Sequence, residues 1–258
     1  MSYKCARITA AGHALEYALI EGTGPTLVFL HEGLGSIRQW RDFPEKVAQA
    51  TGCRALVYDR YGYGSSDVLL EPGVGVEFMH DGALNELPEV LESLDIENPI
   101  LIGHSDGASI ALIHAGTYLV RGVAVMAPHV FVEEPGLQSI KNINDTFETT
   151  GLSERLGKYH RNARKTFHLW ADAWLDPAFR GWNIEEYLPR IKCPVLAIQG
   201  EGDEYGSMAQ LDAIKRQVSG PCELLKLPDC GHSPHKDQPE KVLKAVSGFI
   251  GKLIGTNG

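Results

Sequence analysis

The stretch Pro99-Ile-Leu-Ile-Gly-His-Ser-Asp-Gly107 decides the fold of this 258-residue chain. Its first four residues form a short apolar run, which is typical of a buried strand, and residues 107–116 have the spacing of a helix. Between these segments, Gly103 and Gly107 flank Ser105, and glycine permits backbone turns that other residues resist. The stretch therefore predicts a strand, a sharp turn and a helix, with the Ser105 hydroxyl lifted out of the sheet.

Similar apolar runs occur on both sides of this stretch. Four of them are continuous rather than alternating: Thr26–Leu30, Ala55–Tyr58, Gly122–Met126 and Val195–Ile198. Segments with helical spacing lie between or after them: Ile37–Ala50, Glu77–Leu94, Gly107–Gly116 and Lys241–Ile254. Continuous apolar runs predict parallel strands that are buried on both faces. The alternation predicts an α/β fold with a doubly wound, mostly parallel sheet, preceded by two antiparallel strands at Ala6–Thr9 and Ala14–Leu19.

The strand pattern is interrupted between residues 133 and 189. Aromatic residues recur there at helical intervals: Phe167, Trp170 and Trp174, with Phe179 and Trp182 beyond Pro177. We therefore predict a core domain of residues 1–132 and 190–258, into which a helical lid (cap) of residues 133–189 is inserted.

Composition excludes several classes of partner and site. The net charge of −9 disfavours nucleic acid and anionic membrane surfaces, because both are polyanions. The five cysteines include no Cys-x-x-Cys pair, so we expect neither a metal site nor a disulfide framework, and a cytoplasmic location. No signal peptide is apparent, and the longest apolar stretch, Gly122–Val132, is too short to span a bilayer. A homodimer is compatible with the sequence, which carries no signal for oligomeric state.

Two residues far along the chain can complete a site around Ser105. A serine nucleophile requires a base, and the base requires a carboxylate that orients it. Asp203 follows the run Val195–Ile198, and His232 follows the run Glu223–Leu227. Both positions are at carboxyl ends of predicted strands, which is the edge where ligands bind in such sheets. The alternatives are Glu201 and Glu204 for the carboxylate and His235 for the base.

Five motifs, in order, resemble those of the α/β-hydrolase superfamily over nearly the whole chain. They are His31-Glu-Gly-Leu-Gly-Ser36, Asp59-Arg-Tyr-Gly-Tyr-Gly-Ser-Ser66, Gly103-His-Ser-Asp-Gly107, Gly200-Glu-Gly-Asp203 and Gly231-His232. The resemblance is to lidded, carboxylesterase-like serine hydrolases. It implies Ser105 as the nucleophile, His232 as the general base and acid, and Asp203 as the orienting carboxylate. It also implies that backbone N–H groups of Gly33 and Asp106 hold the oxyanion, without a cofactor or metal.

Two acidic residues depart from the family's pattern. Glu32 stands where the family often has Gly, and Asp106 directly follows the nucleophile. An unpaired carboxylate at either position would oppose the negative charge of an oxyanion. We therefore expect both side chains to form hydrogen bonds or a salt bridge, with Arg38 or Arg60 as candidate partners. Glu32 either only braces its loop or, together with Asp106, disfavours anionic substrates.

Side chains from three regions are candidates for substrate binding. They are Glu32, Leu34, His129, Phe167, Trp170 and Trp174. The alternative for the three lid aromatics is packing against the core, and for His129 a buried hydrogen bond. The same inserted segment carries a basic cluster: Arg155, Lys158, Arg161, Arg164 and Lys165. The default for this cluster is a solvated helix face, and the alternative is recognition of an acidic ligand such as a coenzyme A phosphate.

The resemblance implies a serine hydrolase that cleaves carboxylic esters of small, neutral, apolar substrates through an acyl-enzyme on Ser105. Lactonases, thioesterases and hydrolases of carbon–carbon bonds use the same three residues and remain alternatives. A haloalkane dehalogenase or an epoxide hydrolase is disfavoured, because its nucleophile would be Asp where Ser105 stands. The alternative from another class is a non-catalytic receptor that binds a ligand on a hydrolase scaffold.

Overall fold

The protein is built on one eight-stranded sheet. The computed structural model describes residues 4–70 and 75–255. The strands are β1 (Cys5–Ala10), β2 (His13–Ile20), β3 (Gly24–Leu30), β4 (Cys53–Tyr58), β5 (Ile100–His104), β6 (Gly122–Met126), β7 (Val195–Gly200) and β8 (Cys222–Leu227). Their order in the sheet is β1-β2-β4-β3-β5-β6-β7-β8. β1 and β2 pair in antiparallel fashion, as does β2 with β4, and all other pairs are parallel.

Ten α-helices connect or follow the strands in the described part of the chain. They are α1 (Phe43–Thr51), α2 (Phe78–Asp81), α3 (Leu87–Ser93), α4 (Asp106–Ala115), α5 (Glu134–Thr146), α6 (Leu152–Leu156), α7 (Ala163–Leu175), α8 (Ala209–Gln217), α9 (Pro234–Asp237) and α10 (Pro239–Gly255). A π-helical turn, Gly82–Glu86, joins α2 to α3. Short 3-10 helices occupy Ile37–Trp40, Pro177–Gly181 and Glu185–Arg190.

The predicted fold class is confirmed. Each predicted strand overlaps an observed one to within two residues at either end, including the antiparallel pair at the start of the chain. One helix prediction was wrong in its continuity. Residues 37–50 form a 3-10 turn and then α1, because Arg41 has φ +56, which interrupts any right-handed helix. Pro44 then lies in the first turn of α1, where proline is tolerated.

Side chains of the central strands point alternately to two apolar layers. In β3, Val28 and Leu30 belong to one buried cluster, and Leu27 and Phe29 belong to the other. The parallel strands are therefore covered on both faces, which explains why their apolar runs are continuous in the sequence. With both faces closed, polar side chains can converge only at the strand ends, where the functional residues lie.

The segment between β6 and β7 is mainly helical. All of residues 133–189 are described; they contain α5, α6, α7 and two 3-10 helices, and their only β-pairing is an isolated bridge between Phe131 and Asn183. α5 and α7 pack together, with the rings of Phe147 and Phe167 stacked 3.9 Å apart. We refer to residues 133–189 as the helical segment. Within the described residues, no helix has the length and apolar character needed to cross a membrane.

Candidate active site

Ser105 lies at the sharp turn between β5 and α4 that the sequence predicts. Its φ is +53, a left-handed conformation that non-glycine residues rarely adopt. A Cβ on Gly103 would lie 2.4 Å from the carbonyl oxygen of Gly107, and a Cβ on Gly107 would lie 2.0 Å from that of Leu30. Both glycines are therefore required for α4 to approach β3 and β5 closely enough to hold this turn.

Ser105, His232 and Asp203 form a hydrogen-bonded chain. The Ser105 Oγ lies 2.9 Å from His232 Nε2, and His232 Nδ1 lies 2.8 Å from Asp203 Oδ1. Because an ionised carboxylate only accepts hydrogen bonds, Nδ1 carries the proton and Nε2 is left to accept the Ser105 hydroxyl. The sequence analysis expects these three residues to form one site, and in the structure they are in contact.

The environment of Asp203 keeps its carboxylate ionised. Burial alone would raise its pKa, but hydrogen bonds from His232 and from the Tyr205 N–H hold the pKa below its usual value. The alternatives do not reach this position. Glu201 and Glu204 are exposed, and His235 is buried against the rings of Trp40 and Phe43.

Two backbone N–H groups beside Ser105 are available to a ligand. Asp106 is the first residue of α4, and N–H groups in a first turn have no acceptor within their own helix. The Gly33 N–H donates to no other residue in the part of the chain that the structure describes. The loop that carries it is fixed by Arg60, whose guanidinium donates to the carbonyl oxygens of His31 (3.2 Å) and Glu32 (3.0 Å). These donors remain the predicted oxyanion site.

The expected partner of Glu32 was wrong. Its Oε1 accepts a hydrogen bond from the Lys236 ammonium at 2.9 Å, rather than pairing with Arg38 or Arg60. Arg38 instead donates to the carbonyl oxygen of Lys158, and Arg60 is used by the loop backbone. Burial would raise the pKa of Glu32, but Lys236 and His104 bring it well below its usual range. The Glu32 charge is thus present and compensated.

Asp106 is also not paired with an arginine. Its Oδ2 accepts a hydrogen bond from the indole Nε1 of Trp170 at 3.0 Å, which links the nucleophile turn to α7. Burial raises the pKa of Asp106 to about 6. A Cβ on Gly33 would lie 2.2 Å from the same Trp170 nitrogen and 2.8 Å from Asp106 Oδ2. The loop after β3, the turn after β5 and α7 therefore meet at one tightly packed point.

A cavity of about 120 Å³ opens above Ser105. Its lining residues are Glu32, Gly33, Leu34, His104, Ser105, Asp106, His129, Gly136, Ile140, Trp170, Trp174, Tyr205, His232 and Ser233. Five of the six predicted substrate-binding side chains are in this lining. The exception is Phe167, which is fully buried and stacks on Phe147, so packing is its role. No lysine or arginine lines the cavity, in a region that is entirely described.

His129 is a neutral polar group in the cavity wall. Its ring lies 5.2 Å from that of Trp174 and 5.8 Å from that of His232. Burial, together with the neighbouring His232, lowers the pKa of His129 to about 3. A neutral imidazole can donate or accept one hydrogen bond, so His129 offers a substrate a polar contact without a charge.

Sequence reasoning missed several residues of this site. Gly136, Ile140 and Tyr205 line the cavity, but no motif marks Gly136 or Ile140. Tyr205 lies two residues after Asp203, and its ring is 4.5 Å from that of His232, so proximity in sequence could have indicated it. His104 is part of the glycine-flanked motif itself, and its contacts appear only in three dimensions.

The basic cluster lies on the surface of the helical segment. Arg155, Lys158, Arg161 and Arg164 are exposed, and Lys165 is half-buried. Arg164 pairs with Glu148 at 2.6 Å, and Arg161 lies 3.7 Å from Asp67. At least two of the five charges therefore already have acidic partners, which favours the solvated-face interpretation over recognition of an anionic ligand.

The sequence model of the alpha/beta hydrolase family matches residues 27–245, which include every residue of the hydrogen-bonded chain. The chain belongs to the alpha/beta hydrolase family. The predicted superfamily is therefore confirmed, and the family match supports a hydrolase.

Known relatives of this alpha/beta hydrolase differ in what they act on. A 3-oxoadipate enol-lactonase from Acinetobacter baylyi is 23% identical, over 88% of this chain and 88% of that protein. An sn-1-specific diacylglycerol lipase, ABHD11 of Mus musculus, is 22% identical, over 92% of this chain and 85% of that protein. The crystal structure of haloalkane dehalogenase DbeA from Bradyrhizobium elkani has a TM-score of 0.79 at 19% identity, covering 99% of this chain and 100% of that chain. These similarities establish the fold. The substrate has to be inferred from the residues of the site.

Proposed function

We propose that this alpha/beta hydrolase is a serine esterase, which cleaves small, neutral, mainly apolar carboxylic esters through an acyl-enzyme on Ser105. The observation that carries the proposal is the chain from Ser105 through His232 to Asp203, with contacts of 2.9 and 2.8 Å, at the base of the cavity. Such a chain activates a hydroxyl that is otherwise a weak nucleophile.

Acylation follows from this geometry. As the Ser105 Oγ attacks the acyl carbon, its proton passes to His232 Nε2, and the carbonyl oxygen becomes an oxyanion. The backbone N–H groups of Gly33 and Asp106 donate to that oxyanion, at the positive end of α4. The C–O bond to the alcohol then breaks, and His232 returns the proton to the departing alkoxide.

Deacylation repeats the steps of acylation, with water as the nucleophile. His232 Nε2 accepts a proton from the water as its oxygen attacks the acyl carbon. The bond to Ser105 Oγ then breaks, and His232 returns the proton to that oxygen, so that the carboxylic acid leaves and Ser105 is regenerated. Asp203 stabilises the imidazolium that forms in each half of the reaction.

The cavity supports the proposed substrate class. Leu34, Ile140, Trp170 and Trp174 give it apolar walls, and the helical segment supplies the last three, as expected if residues 133–189 form a lid on the core domain. Glu32 contributes an anionic carboxylate to the lining. Within the described residues, the lining contains no lysine or arginine, and Lys236 is already paired with Glu32, so an acyl group or alcohol that carries its own negative charge would have no free cation to pair with. Neutral esters are therefore the preferred substrates.

Lactones are the second candidate, because a lactone is an internal ester and an enol-lactonase is among the relatives that match most of the chain. The same acyl-enzyme would form, but the alcohol would remain attached to the acyl group. A panel of linear esters and lactones of equal carbon number distinguishes the two candidates.

The proposed function is tested by covalent labelling and turnover. The wild-type protein should react with a fluorophosphonate probe and hydrolyse p-nitrophenyl butyrate faster than the anionic p-nitrophenyl hemisuccinate. Ser105→Ala should abolish labelling and lower kcat by about 10⁴-fold or more. Ser247→Ala, on the distant helix α10, is the matched control and should retain both. Labelling that persists in Ser105→Ala would contradict the assignment of the nucleophile, and an absence of both labelling and turnover throughout the panel would favour a non-catalytic receptor.

A further inference from the structure

Behind Ser105 and His232 lies a second polar network, which the acyl-transfer steps do not use. His104 is the last residue of β5 and is fully buried. Its Nε2 lies 2.7 Å from the main-chain carbonyl oxygen of His232. A carbonyl oxygen only accepts, so His104 Nε2 carries the proton and donates it. The backbone of the proposed base is thereby fixed to the strand that carries the nucleophile.

Glu32 connects the loop after β3 to the segment that follows His232. Its Oε1 accepts a hydrogen bond from Lys236 Nζ at 2.9 Å. Its Oε2 lies 3.3 Å from His104 Nδ1 without a hydrogen bond, because burial lowers the pKa of His104 and the neutral ring carries its proton on Nε2. Lys236 lies in α9, which begins two residues after His232. A Cβ on Gly35 would lie 2.6 Å from Glu32 Oε2, so the loop after β3 has room for this carboxylate only because residue 35 is glycine.

The network therefore connects the three segments that must be in register for acyl transfer. These are the loop with the Gly33 N–H, the turn with Ser105 and the loop with His232. Hydrogen bonds to charged groups are stronger than neutral ones, and their strength increases where water is excluded. The Glu32 side chain is only 16% exposed. A connection of this kind can hold His232 Nε2 at bonding distance from Ser105.

We propose that Glu32 is a positioning residue for His232, which acts through its ion pair with Lys236. The inference rests on the proposed function. It gives a role to the carboxylate that replaces the glycine often found after the loop histidine in related enzymes. The Lys236 charge is needed for this positioning role, because it compensates the Glu32 carboxylate beside the site where an oxyanion forms. Loss of either partner should slow the reaction of Ser105 without weakening the binding of a neutral ester.

The test compares single and double variants on a neutral ester. Lys236→Met and Glu32→Gln should each lower kcat for p-nitrophenyl butyrate about 10-fold, with KM changed less than twofold. The double variant should be no slower than the slower single variant, because the two substitutions remove the same ion pair. Lys236→Arg, which preserves the charge, should retain at least half of the wild-type kcat. The rate of Ser105 labelling by a fluorophosphonate probe should follow kcat.

The control removes a second lysine–glutamate ion pair, which is exposed and lies away from the site. Lys252→Met breaks a contact of 2.8 Å to Glu223 on the surface and should leave kcat and labelling unchanged. Thermal unfolding of each variant shows whether the fold is retained, which matters most for Lys236→Met, because it leaves the Glu32 carboxylate without its cation. Unchanged kcat in Lys236→Met and Glu32→Gln, or losses that multiply in the double variant, would overturn the positioning role. Absence of Ser105-dependent labelling in the wild type would instead remove the proposed function itself.

Discussion

The two walls of the cavity are built from different chemistry. The wall at the end of the sheet is polar, with short hydrogen bonds between Ser105, His232 and Asp203 and glycines that leave no room for a side chain. The wall formed by α5 and α7 is mainly apolar, and a hydrogen bond from Trp170 to Asp106 links it to the other wall. Under the proposed function, the sheet wall performs the reaction, whereas the helical wall selects the substrate.

The largest effect should come from the sheet wall. Asp203→Asn preserves the side-chain shape but removes the charge, so His232 loses the acceptor that fixes its Nδ1 proton. We expect kcat for a neutral ester to fall about 10³- to 10⁴-fold with little change in KM. Glu204→Gln, an exposed neighbour, is the control and should stay within twofold of wild type. If Glu204→Gln were the slower variant, the assignment of the orienting carboxylate would have to change.

The three residues of the hydrogen-bonded chain in the sheet wall could be predicted from the sequence, for a physical reason. The strands of a buried parallel sheet appear in the sequence as continuous apolar runs. Polar, reactive side chains can be placed only where those runs end. Ser105, Asp203 and His232 all follow such runs. The partners of Glu32 and Asp106 could not be predicted in the same way, because Lys236 and Trp170 reach them through side chains from distant segments.

The helical wall was predicted only in outline. Helical spacing placed Trp170 and Trp174 on one face, but spacing does not show which aromatic packs inward and which reaches the cavity. Phe167 has the same periodicity and instead stacks on Phe147. Ile140 has no distinguishing feature in the sequence, and it reaches the cavity because α5 packs against α7.

A substitution where the two walls touch, between Gly33 and Trp170, should have the next largest effect on kcat. In Gly33→Ala, the new methyl group would meet Trp170 Nε1 at 2.2 Å, so either the loop or the indole must move. We expect kcat to fall about 10- to 100-fold, because loss of one oxyanion donor typically costs at least that much. Gly248→Ala, with no atom within 4 Å of the new methyl group, is the control.

A double variant sharpens this interpretation. Trp170→Leu removes the indole that the methyl group added at position 33 would meet, so Gly33→Ala should slow the reaction less in that background than in the wild type. The measurement is the ratio of kcat with and without the Gly33 change in each background. Equal ratios would mean that the two walls do not interact through this contact.

The helical wall should control acyl-chain length. Trp174 separates the cavity above Ser105 from a second hollow of about 120 Å³ between α5 and α7, and it lines both. Trp174→Leu should join them, so that kcat/KM for p-nitrophenyl octanoate rises about 10-fold relative to the acetate. Trp182→Leu, a buried tryptophan of the same segment that lines neither space, should leave this ratio unchanged. A similar rise in both variants would indicate general loosening instead.

The smallest effect concerns stability at the boundary between the walls. Burial raises the pKa of Asp106 to about 6, so the folded protein binds this proton more tightly than the unfolded chain, where the pKa is about 3.9. The resulting stabilisation is present below about pH 4 and is lost as the pH rises to about 6. Asp106→Asn has no charge to bury, and its side-chain oxygen can still accept from Trp170. Relative to wild type, its free energy of unfolding should therefore increase by about 1–3 kcal/mol between pH 4.5 and pH 8. Urea unfolding at several pH values measures this difference, with the exposed Asp172→Asn as the control. A difference that does not vary with pH would show that the Asp106 carboxylate is already compensated in the folded protein.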